Sequence, residues 1–441
     1  MTRKLLVYVD LGGKPIRVGQ LWTRAKGKQE SASFQYDPTW LRNPFKFALG
    51  PTLPLGGAAL HTRRPLFGAF SDSAPDSWGR RLMRLHERED AKKEGRDART
   101  LMQVDYLAGV DDETRMGALR YKNNADDETF QSATEQRVPP LVRLRALLNA
   151  SSRVAAEKET RRDIQLLLKP GSALGGARPK ATIRDTSGRL LLAKFPKSDD
   201  RWPWTLWEDV ALGLAGQALI SVPEHRIGHV LLQPVLMLVR FDRGAGSSRI
   251  PFLSAMTALD ATDNDEGRSY LEILDFIRQE GADPQADARQ LWRRMVFNVL
   301  ISNTDDHPRN HGFLRTSKGW VLAPAYDLNP APDSPRVHSM ALNEIDPVAS
   351  LDTLLSVAPS FGISRDDSTT IVSEVAAAVS NWRNAATERG LTKQDQERME
   401  PAFEHDDLRQ ARKLIVTSHH GQPSKRRKGR SGRKAPRRVA L

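Results

Sequence analysis

A loop rich in carboxylate and amide side chains is the part of this sequence best suited to chemistry. Residues 303–310 read Asn-Thr-Asp-Asp-His-Pro-Arg-Asn, and Asp327 follows 22 residues after Asp305. Phosphoryl transfer needs a carboxylate that orients the attacking hydroxyl and oxygen ligands for Mg²⁺. We therefore predict that Asp305 meets the hydroxyl and that Asn310 and Asp327 bind Mg²⁺. Taken alone, each of these residues is more typical of a turn or a helix cap.

Asp306 adjoins Asp305 and offers a second carboxylate for the same role. The five-residue step from Asp305 to Asn310 favours Asp305 as the base. His307 and His311 flank Asn310, but a zinc site needs a further ligand, and the sequence lacks the His-Glu-x-x-His spacing. We expect these histidines to order the loop.

A glycine-rich segment, residues 171–180, precedes a predicted strand and ends at Lys180. Gly175 and Gly176 allow backbone N–H groups to approach a phosphate closely. The segment lacks the Gly-Lys-Ser/Thr ending of a Walker A loop and the Gly-x-Gly-x-x-Gly of kinases. By itself it is more typical of a simple turn, but with its neighbours it predicts ATP binding. Ser172 is expected to be structural, with phosphorylation as the alternative, which would add charge beside the nucleotide.

Lys194 interrupts an apolar run, residues 190–195, on the strand that returns beside the glycine-rich segment. Such a lysine either extends to solvent or binds an anion. The neighbouring glycines favour phosphate binding. Glu208, in the next predicted helix, is a candidate ion-pair partner of Lys194. The alternative is an acidic residue that the helix dipole favours in a first turn, and the sequence leaves both open.

The elements that must position these residues form an α+β pattern. We predict an N-terminal α+β module (1–125), a nucleotide-binding lobe (126–245), a mostly helical catalytic lobe (246–420) and a basic tail (421–441). Hydrophobic periodicity and turn residues predict the following elements. They are strands at 4–10, 16–23, 33–36 and 116–121, helices from 77, at 139–165, at 207–219 and ending at 303, hairpins at 177–195 and 312–322, a strand at 235–241 and further helix at 368–418.

The charge of the chain is concentrated at its C-terminal end. The net charge is +13, and nine Lys or Arg residues without any acid lie in the last 17 positions. This composition predicts a disordered tail. Such a tail would hold RNA, DNA or an acidic protein surface by a salt-sensitive attraction, or would serve only as a solubilising extension.

Composition also limits the class of protein. The chain has no cysteine, which excludes disulfides, thiolate metal sites and a cysteine nucleophile. No run approaches the ~18 apolar residues of a membrane span, and the N-terminal apolar run is too short for a signal peptide. We expect a cytoplasmic protein without a membrane partner.

Taken together and in this order, the motifs resemble the HipA family of serine/threonine kinases, the toxins of bacterial toxin–antitoxin pairs. The resemblance covers nearly the whole chain, and the 303–310 loop is its most specific part. The matching stretches are residues 34–41, 70–80, 116–119, the glycine-rich segment through Lys180, Lys194, 240–243 (Arg-Phe-Asp-Arg), 303–310 and 326–327.

The resemblance implies a two-lobed protein-kinase-like fold and transfer of the ATP γ-phosphate to Ser or Thr of a cellular protein, or to the kinase itself. It implies that Asp305 is catalytic, that Asn310 and Asp327 bind Mg²⁺, and that Lys194 binds the ATP phosphates. The backbone of residues 239 (Val239) and 241 (Phe241) would bind adenine. It also implies a helix-turn-helix antitoxin partner that binds operator DNA, and translation-associated proteins as a family-level guess for the substrate.

Two departures from the family pattern leave an alternative open. Many members carry an acidic residue where this chain has Val239, so adenine would meet backbone atoms only. Two interpretations of Arg240 and Arg243 are also open. They are surface charges, or they lie at the strand end that contacts adenine. The basic tail is not typical of the family. The alternative function is therefore a kinase-fold corepressor or nucleic-acid-associated protein that acts through an antitoxin and the tail.

Overall fold

The fold is described by a computed structural model that covers residues 2–27, 29–133, 138–168, 176–265, 267–333, 335–344, 348 and 350–419. The chain starts with an antiparallel sheet whose described strands follow the order β4-β3-β2-β1-β5. The elements of this first module are β1 (Thr2–Leu11), β2 (Lys14–Lys26), β3 (Gln29–Tyr36), α1 (Pro38–Arg42), β4 (Leu60–Thr62), α2 (Gly68–Ser71), α3 (Ser77–Glu94), α4 (Gln103–Gly109) and β5 (Leu119–Lys122).

The predicted hairpin between the first two strands is confirmed. Gly12 and Gly13 have φ of 61° and 82°, a left-handed turn that glycine adopts without steric cost. The Gly13 amide also donates to Asp10 Oδ1 at 2.9 Å. On β1, Leu5, Val7 and Val9 are fully buried, so the alternation of apolar residues directs one face of the sheet into the core.

The middle of the chain builds a second antiparallel sheet, with the strand order β6-β7-β9-β8. Its elements are α5 (Leu144–Ala155), α6 (Arg161–Leu168), β6 (Lys180–Arg184), β7 (Leu190–Lys194), α7 (Trp204–Gln217), β8 (His225–Val230) and β9 (Gln233–Val239). The predicted β6–β7 hairpin is confirmed. Asp185 accepts hydrogen bonds from the backbone amides of Ser187 and Arg189, and the register places Lys180 opposite Lys194.

The prediction that residues 139–165 are helical is confirmed for most of that stretch, but the helix is not continuous. The structure has two helices there, α5 and α6, because the chain turns at Glu157, whose φ is +56°. Asp163, in the first turn of the second helix, then accepts a hydrogen bond at 2.9 Å from the amide of Thr160, the residue just before that helix. The two helices pack against each other, so their apolar faces looked continuous in the sequence although the backbone is not.

The remainder of the chain is mostly helical, as predicted, with a small sheet of order β10-β11-β12. Its elements are β10 (Phe252–Ser254), α8 (Ala255–Ala258), α9 (Tyr270–Glu280), α10 (Pro284–Leu300), β11 (Gly312–Arg315), β12 (Trp320–Leu322), α11 (Leu351–Val357), α12 (Arg365–Ser380), α13 (Trp382–Glu388), α14 (Lys393–Phe403) and α15 (Asp406–His419). Helix α10 is buried continuously from Leu291 to its end, so the loop that follows it starts from a fixed point.

Two apolar cores hold these parts together. The larger core includes side chains of the first sheet, α7, α10 and α12. The smaller core packs Trp78 and Leu82 of α3 against residues of α5 and of the sheet β6-β7-β9. The N-terminal module therefore contributes directly to the support of the second sheet. Among the described residues, no helix combines the length and the apolarity that crossing a membrane requires.

The Arg-Phe-Asp-Arg stretch does not provide surface charges, so that interpretation was wrong. The side chains of Arg240, Asp242 and Arg243 are only 2%, 0% and 6% exposed. Both arginines contact the Asp242 carboxylate, which also accepts a hydrogen bond from the Gly117 amide at 2.8 Å. The cluster links the second sheet to the N-terminal module because a buried carboxylate needs its cationic partners nearby.

Candidate active site

The loop of residues 303–310 is fixed by hydrogen bonds at both ends. The Asn303 amide donates to the Asn298 carbonyl at 2.8 Å, and the Asn310 amide donates to the His307 carbonyl at 2.8 Å. Asn310 Nδ2 also donates to the Asp305 carbonyl at 3.1 Å. The structure thus brings Asn310 directly beside Asp305 and leaves the Asp305 side chain exposed.

Asp306 has a different environment from its neighbour, and its side chain is 3% exposed. Its Oδ2 accepts hydrogen bonds from Asn298 Nδ2 (2.8 Å) and from the Tyr270 hydroxyl, and it lies 2.8 Å from His311 Nε2. Burial alone would raise the pKa of Asp306, but His311 and these donors outweigh it and lower the pKa. Asp306 therefore holds the loop in place, with His311 in the loop-ordering role expected for it.

Asp305 has a raised pKa. Asp305 reaches the surface, but its carboxyl group is partly enclosed by the protein, and this partial desolvation is the largest cause. The negative charges of Asp327 and Asp306 add to it, while His307 acts in the opposite direction. A carboxylate that holds a proton more readily than an ordinary aspartate is the better acceptor for a hydroxyl proton. Asp327, 22 positions later in the chain, is thus near enough for its charge to act on Asp305.

Lys194 lies between two acidic residues. Its Nζ donates to Glu208 Oε1 at 2.5 Å and to Asp327 Oδ1 at 2.9 Å. Helix α7 begins at Trp204, which puts Glu208 in the second turn. The first-turn interpretation was therefore wrong, and the ion-pair interpretation is the one that the geometry supports.

Lys194 and its acidic partners shift one another's pKa values. Burial alone would raise the pKa of Asp327, but the Lys194 ammonium outweighs it and holds that pKa well below its usual range. Burial alone would lower the pKa of Lys194, but Asp327 and Glu208 raise it. Asp327 is thus ionised and Lys194 is charged at neutral pH. Asp327 also has a φ of +60°, an uncommon backbone conformation for a non-glycine residue that is often seen at functional sites.

An apolar cleft that opens to solvent adjoins Lys194 and Asp327. Its walls include Val239 and Phe241, the two residues predicted at adenine, and Phe241 stacks on Tyr326 with ring centroids 5.5 Å apart. The full lining is Leu192, Lys194, Pro223, Leu238, Val239, Arg240, Phe241, Tyr326 and Asp327. Such a cleft suits the flat ring of a nucleobase, and the charged side chains of Lys194 and Asp327 lie at one end of it.

A hydrogen bond of the backbone limits how Val239 can contact adenine. The Val239 amide donates to the Glu224 carbonyl at 2.8 Å, so the prediction for Val239 now concerns its carbonyl oxygen. Tyr326, which also lines the cleft, is held in place because its hydroxyl donates to the Arg309 carbonyl at 2.8 Å. No role in the cleft was predicted for Pro223 or Tyr326, because no residue pattern signals that they meet β9 in space.

Lys180, predicted at the phosphates, is buried next to Gly176. Its Nζ donates to Gly176 O at 3.1 Å and to Asp76 Oδ2 at 2.8 Å. Asp76 was missed in the sequence because it reads there only as the N-cap of α3, a role that it also has. The predicted residues Gly175 and Ser172 lie outside the described residues, as does the tail of residues 421–441.

The two residues predicted to bind Mg²⁺ offer ligand atoms of a suitable kind. The Asp327 carboxylate and the Asn310 side-chain oxygen are hard oxygen donors of the kind that Mg²⁺ prefers. Within the described part of the chain there is no cluster of three or more His, Asp or Glu suited to a metal. A cation held by Asn310 and Asp327 would therefore take its remaining ligands from phosphate and water, as Mg²⁺ commonly does beside nucleotides.

Family models match the chain in two places. A model described as "HipA N-terminal domain" matches residues 8–122, and one described as "HipA-like C-terminal domain" matches residues 172–382. Both are consistent with the motifs that carry the resemblance. Together they cover most of the chain, including β6, β7 and the 303–310 loop.

Curated relatives match shorter segments. A protein described as "Putative kinase Y4mE" from Sinorhizobium fredii NGR234 is 24% identical over 180 residues, which are 35% of this chain and 41% of the relative. A protein described as "Putative kinase" from Haemophilus influenzae is 32% identical over 81 residues, 18% of this chain and 24% of the relative. The matches thus span less than half the length of either relative.

A solved structure is similar over nearly the whole chain. It is described as "Shewanella oneidensis MR-1 Toxin Antitoxin System HipA, HipB and its operator DNA complex". The TM-score is 0.61 at 17% identity, with 94% of this chain and 97% of that chain covered. This likeness concerns the fold, and it confirms the predicted α+β, kinase-like architecture with an N-terminal α+β module.

Proposed function

The chain belongs to the HipA family, and from this premise we propose that it is an ATP- and Mg²⁺-dependent protein kinase. In this proposal it transfers the γ-phosphate of ATP to Ser or Thr of a cellular protein, and to itself where a suitable hydroxyl reaches the site. The matches to two relatives described as kinases support the reaction class. The choice of Ser or Thr rests on the family resemblance.

The observation that carries the proposal is the position of Lys194. Its ammonium bridges Glu208 and Asp327 at one end of an apolar cleft, and Asp305 is close enough for Asp327 to raise its pKa. A fixed cation, a Mg²⁺-type carboxylate and a carboxylate base beside a slot for a flat ring are the parts that phosphoryl transfer on the kinase pattern requires.

The residues of the chain then divide the work. The apolar walls around Val239 and Phe241 hold adenine, and Lys194 binds phosphate oxygens, with Glu208 keeping its ammonium in place. Asp305 orients the acceptor hydroxyl and takes its proton at the carboxylate. Asn310 and Asp327 would hold Mg²⁺, which when bound supplies charge neutralisation on the phosphates.

Labelled ATP tests this function. Purified chain is incubated with γ-labelled ATP, Mg²⁺ and a bacterial lysate, and the labelled proteins are hydrolysed to identify the phosphorylated amino acid. We expect label on Ser or Thr with the wild type and none with Lys194→Met or Asp327→Ala. Label on neither residue, or equal label with the variants, would refute the proposal. Comparing the phosphorylated proteins of cells that express wild type or Asp327→Ala would then identify the substrate.

A second proposal concerns partners. The similar Shewanella structure is described as a complex with HipB and operator DNA, which favours a helix-turn-helix antitoxin, and DNA through it, as partners of this chain. The alternative function, a corepressor or nucleic-acid-associated protein, would use this partner and the basic tail. Deleting residues 424–441 should abolish salt-sensitive binding of nucleic acid by the isolated chain, and unchanged binding would exclude the tail from that role.

A further inference from the structure

The second lysine of the nucleotide region is bound by a residue of the N-terminal module. Lys180 Nζ donates to Asp76 Oδ2 at 2.8 Å, and the two side chains are only 2% and 6% exposed. A buried ammonium without a counter-charge is strongly unfavourable. Asp76 is therefore what allows the charged Lys180 to remain inside the protein.

Helix α3 fixes Lys180 at its backbone as well. Trp78 Nε1 donates to the Lys180 carbonyl at 3.0 Å. Trp78 is itself 2% exposed and belongs to the small core under β6 and β7. The start of one helix thus holds both the backbone and the side chain of Lys180.

Lys180 and Lys194 form a pair across two strands. They are directly opposite in the β6–β7 register, and opposite residues of an antiparallel pair point to the same face of the sheet. Each has an acidic partner from elsewhere in the fold, Asp76 for Lys180 and Glu208 with Asp327 for Lys194. Two held cations on one face suit a ligand with several negative charges.

We propose that Asp76 is a positioning residue for phosphate binding, an inference that rests on the proposed function. An ammonium has three N–H donors, and the described residues accept two of them, through Asp76 Oδ2 and Gly176 O. The third is left for a phosphate oxygen of ATP. Without Asp76 the ammonium turns to solvent in the free protein, and ordering it again on binding costs affinity.

Asp76→Asn is the most informative change. Asn caps helices as well as Asp does, so it preserves the cap at the start of α3, where Asp76 Oδ1 accepts from the Gly79 amide at 2.8 Å. The matched control is Asp283→Asn at the N-cap of α10, where Asp283 accepts from the Ala286 amide at 3.1 Å. Asp76→Ser, another capping residue without the charge, is the second test variant in case Asp76→Asn does not fold.

Calorimetric titration with ATP and with adenosine distinguishes a loss of phosphate binding from a general disturbance of the nucleotide site. We expect Asp76→Asn to bind ATP roughly three- to tenfold more weakly, the equivalent of immobilising one lysine side chain. Adenosine binding should stay unchanged, because adenosine has no phosphate, and Asp283→Asn should match the wild type for both ligands. In the phosphotransfer assay the KM for ATP should rise while kcat changes little.

A double-mutant cycle completes the test. In a Lys180→Met background, Asp76→Asn should have no further effect on ATP affinity, because Asp76 acts through Lys180. Equal or tighter ATP binding by the single Asp76 variants, equal losses for ATP and adenosine, or additive losses in the cycle would overturn the inference while leaving the proposed kinase intact. A wild type that binds no ATP would overturn both.

Discussion

Two adjacent aspartates, Asp305 and Asp306, show how environment assigns different tasks to the same side chain. Asp306 is enclosed by Asn298, Tyr270 and His311, whereas Asp305 reaches the surface. In the sequence the two were separated only by their spacing from Asn310. The contacts now give an independent reason for the same choice, because a buried carboxylate whose Oδ2 already has three partners is poorly placed to take a substrate proton.

A pair of alanine substitutions tests this division. Asp306→Ala should lower the free energy of unfolding by about 3 kcal/mol, because it leaves buried donors without their acceptor. Asp305→Ala should change it by less than about 0.5 kcal/mol, as is usual for an exposed position. Urea denaturation measures both values. Equal losses for the two variants would contradict the roles assigned to them.

The raised pKa of Asp305 predicts the pH dependence of the reaction. In its proposed role as the base, Asp305 must be ionised, so kcat/KM should fall as the pH decreases through its pKa, which lies above the ordinary aspartate value of 3.8. His307→Gln should move this inflection to higher pH, because His307 counteracts the rise of the pKa. The pH profile of phosphotransfer at saturating ATP checks both, and an inflection that His307→Gln leaves in place or lowers would argue against Asp305 as the titrating base.

At the scale of elements, the sequence was informative wherever local chemistry decides the outcome. The β1–β2 and β6–β7 hairpins were predicted because Gly12, Gly13 and Asp185 have conformational preferences that do not depend on the rest of the fold. The break between α5 and α6 was missed because a left-handed Glu157 has no local signature. The contact of Asp76 with Lys180 was missed because the two residues are 104 positions apart.

The Arg240–Asp242–Arg243 cluster belongs to this scale, since it attaches the end of β9 to the N-terminal module. Burial alone would raise the pKa of Asp242, but Arg240 and Arg243 lower it below its usual range. Because the folded-state pKa is below the unfolded one, the stabilisation is complete above about pH 4. It is lost as the pH falls from there.

Asp242→Asn should therefore destabilise the protein by about 3 kcal/mol at pH 7, and the difference from wild type should shrink as the pH falls below 4. The control is Asp260→Asn, which removes an exposed ion pair with Arg64 and should cost less than about 1 kcal/mol. Denaturation curves at pH 7 and pH 3.5 measure the effect. A pH-independent difference would contradict the ion-pair explanation.

At the scale of the whole molecule, the predicted boundary near residue 125 separates two folding patterns but not two independent bodies. Trp78 and Leu82 of the first module complete the core beneath the second sheet, and Asp76 reaches Lys180. A site that looked confined to residues 171–327 in the sequence is therefore supported from the N-terminal module. Long-range packing of this kind has no periodic signal, whereas the family resemblance indicated the fold correctly.

The most direct test of the account is the rate of γ-phosphate transfer by the wild type and by Asp305→Asn. With γ-labelled ATP, Mg²⁺ and a lysate as acceptor, the wild type should transfer phosphate, and Asp305→Asn should do so at least about 100-fold more slowly. ATP affinity should be retained in the variant, because Asp305 acts on the acceptor hydroxyl. Equal rates for the two proteins, or no transfer by the wild type, would contradict the proposal that this chain is a kinase with Asp305 as its base.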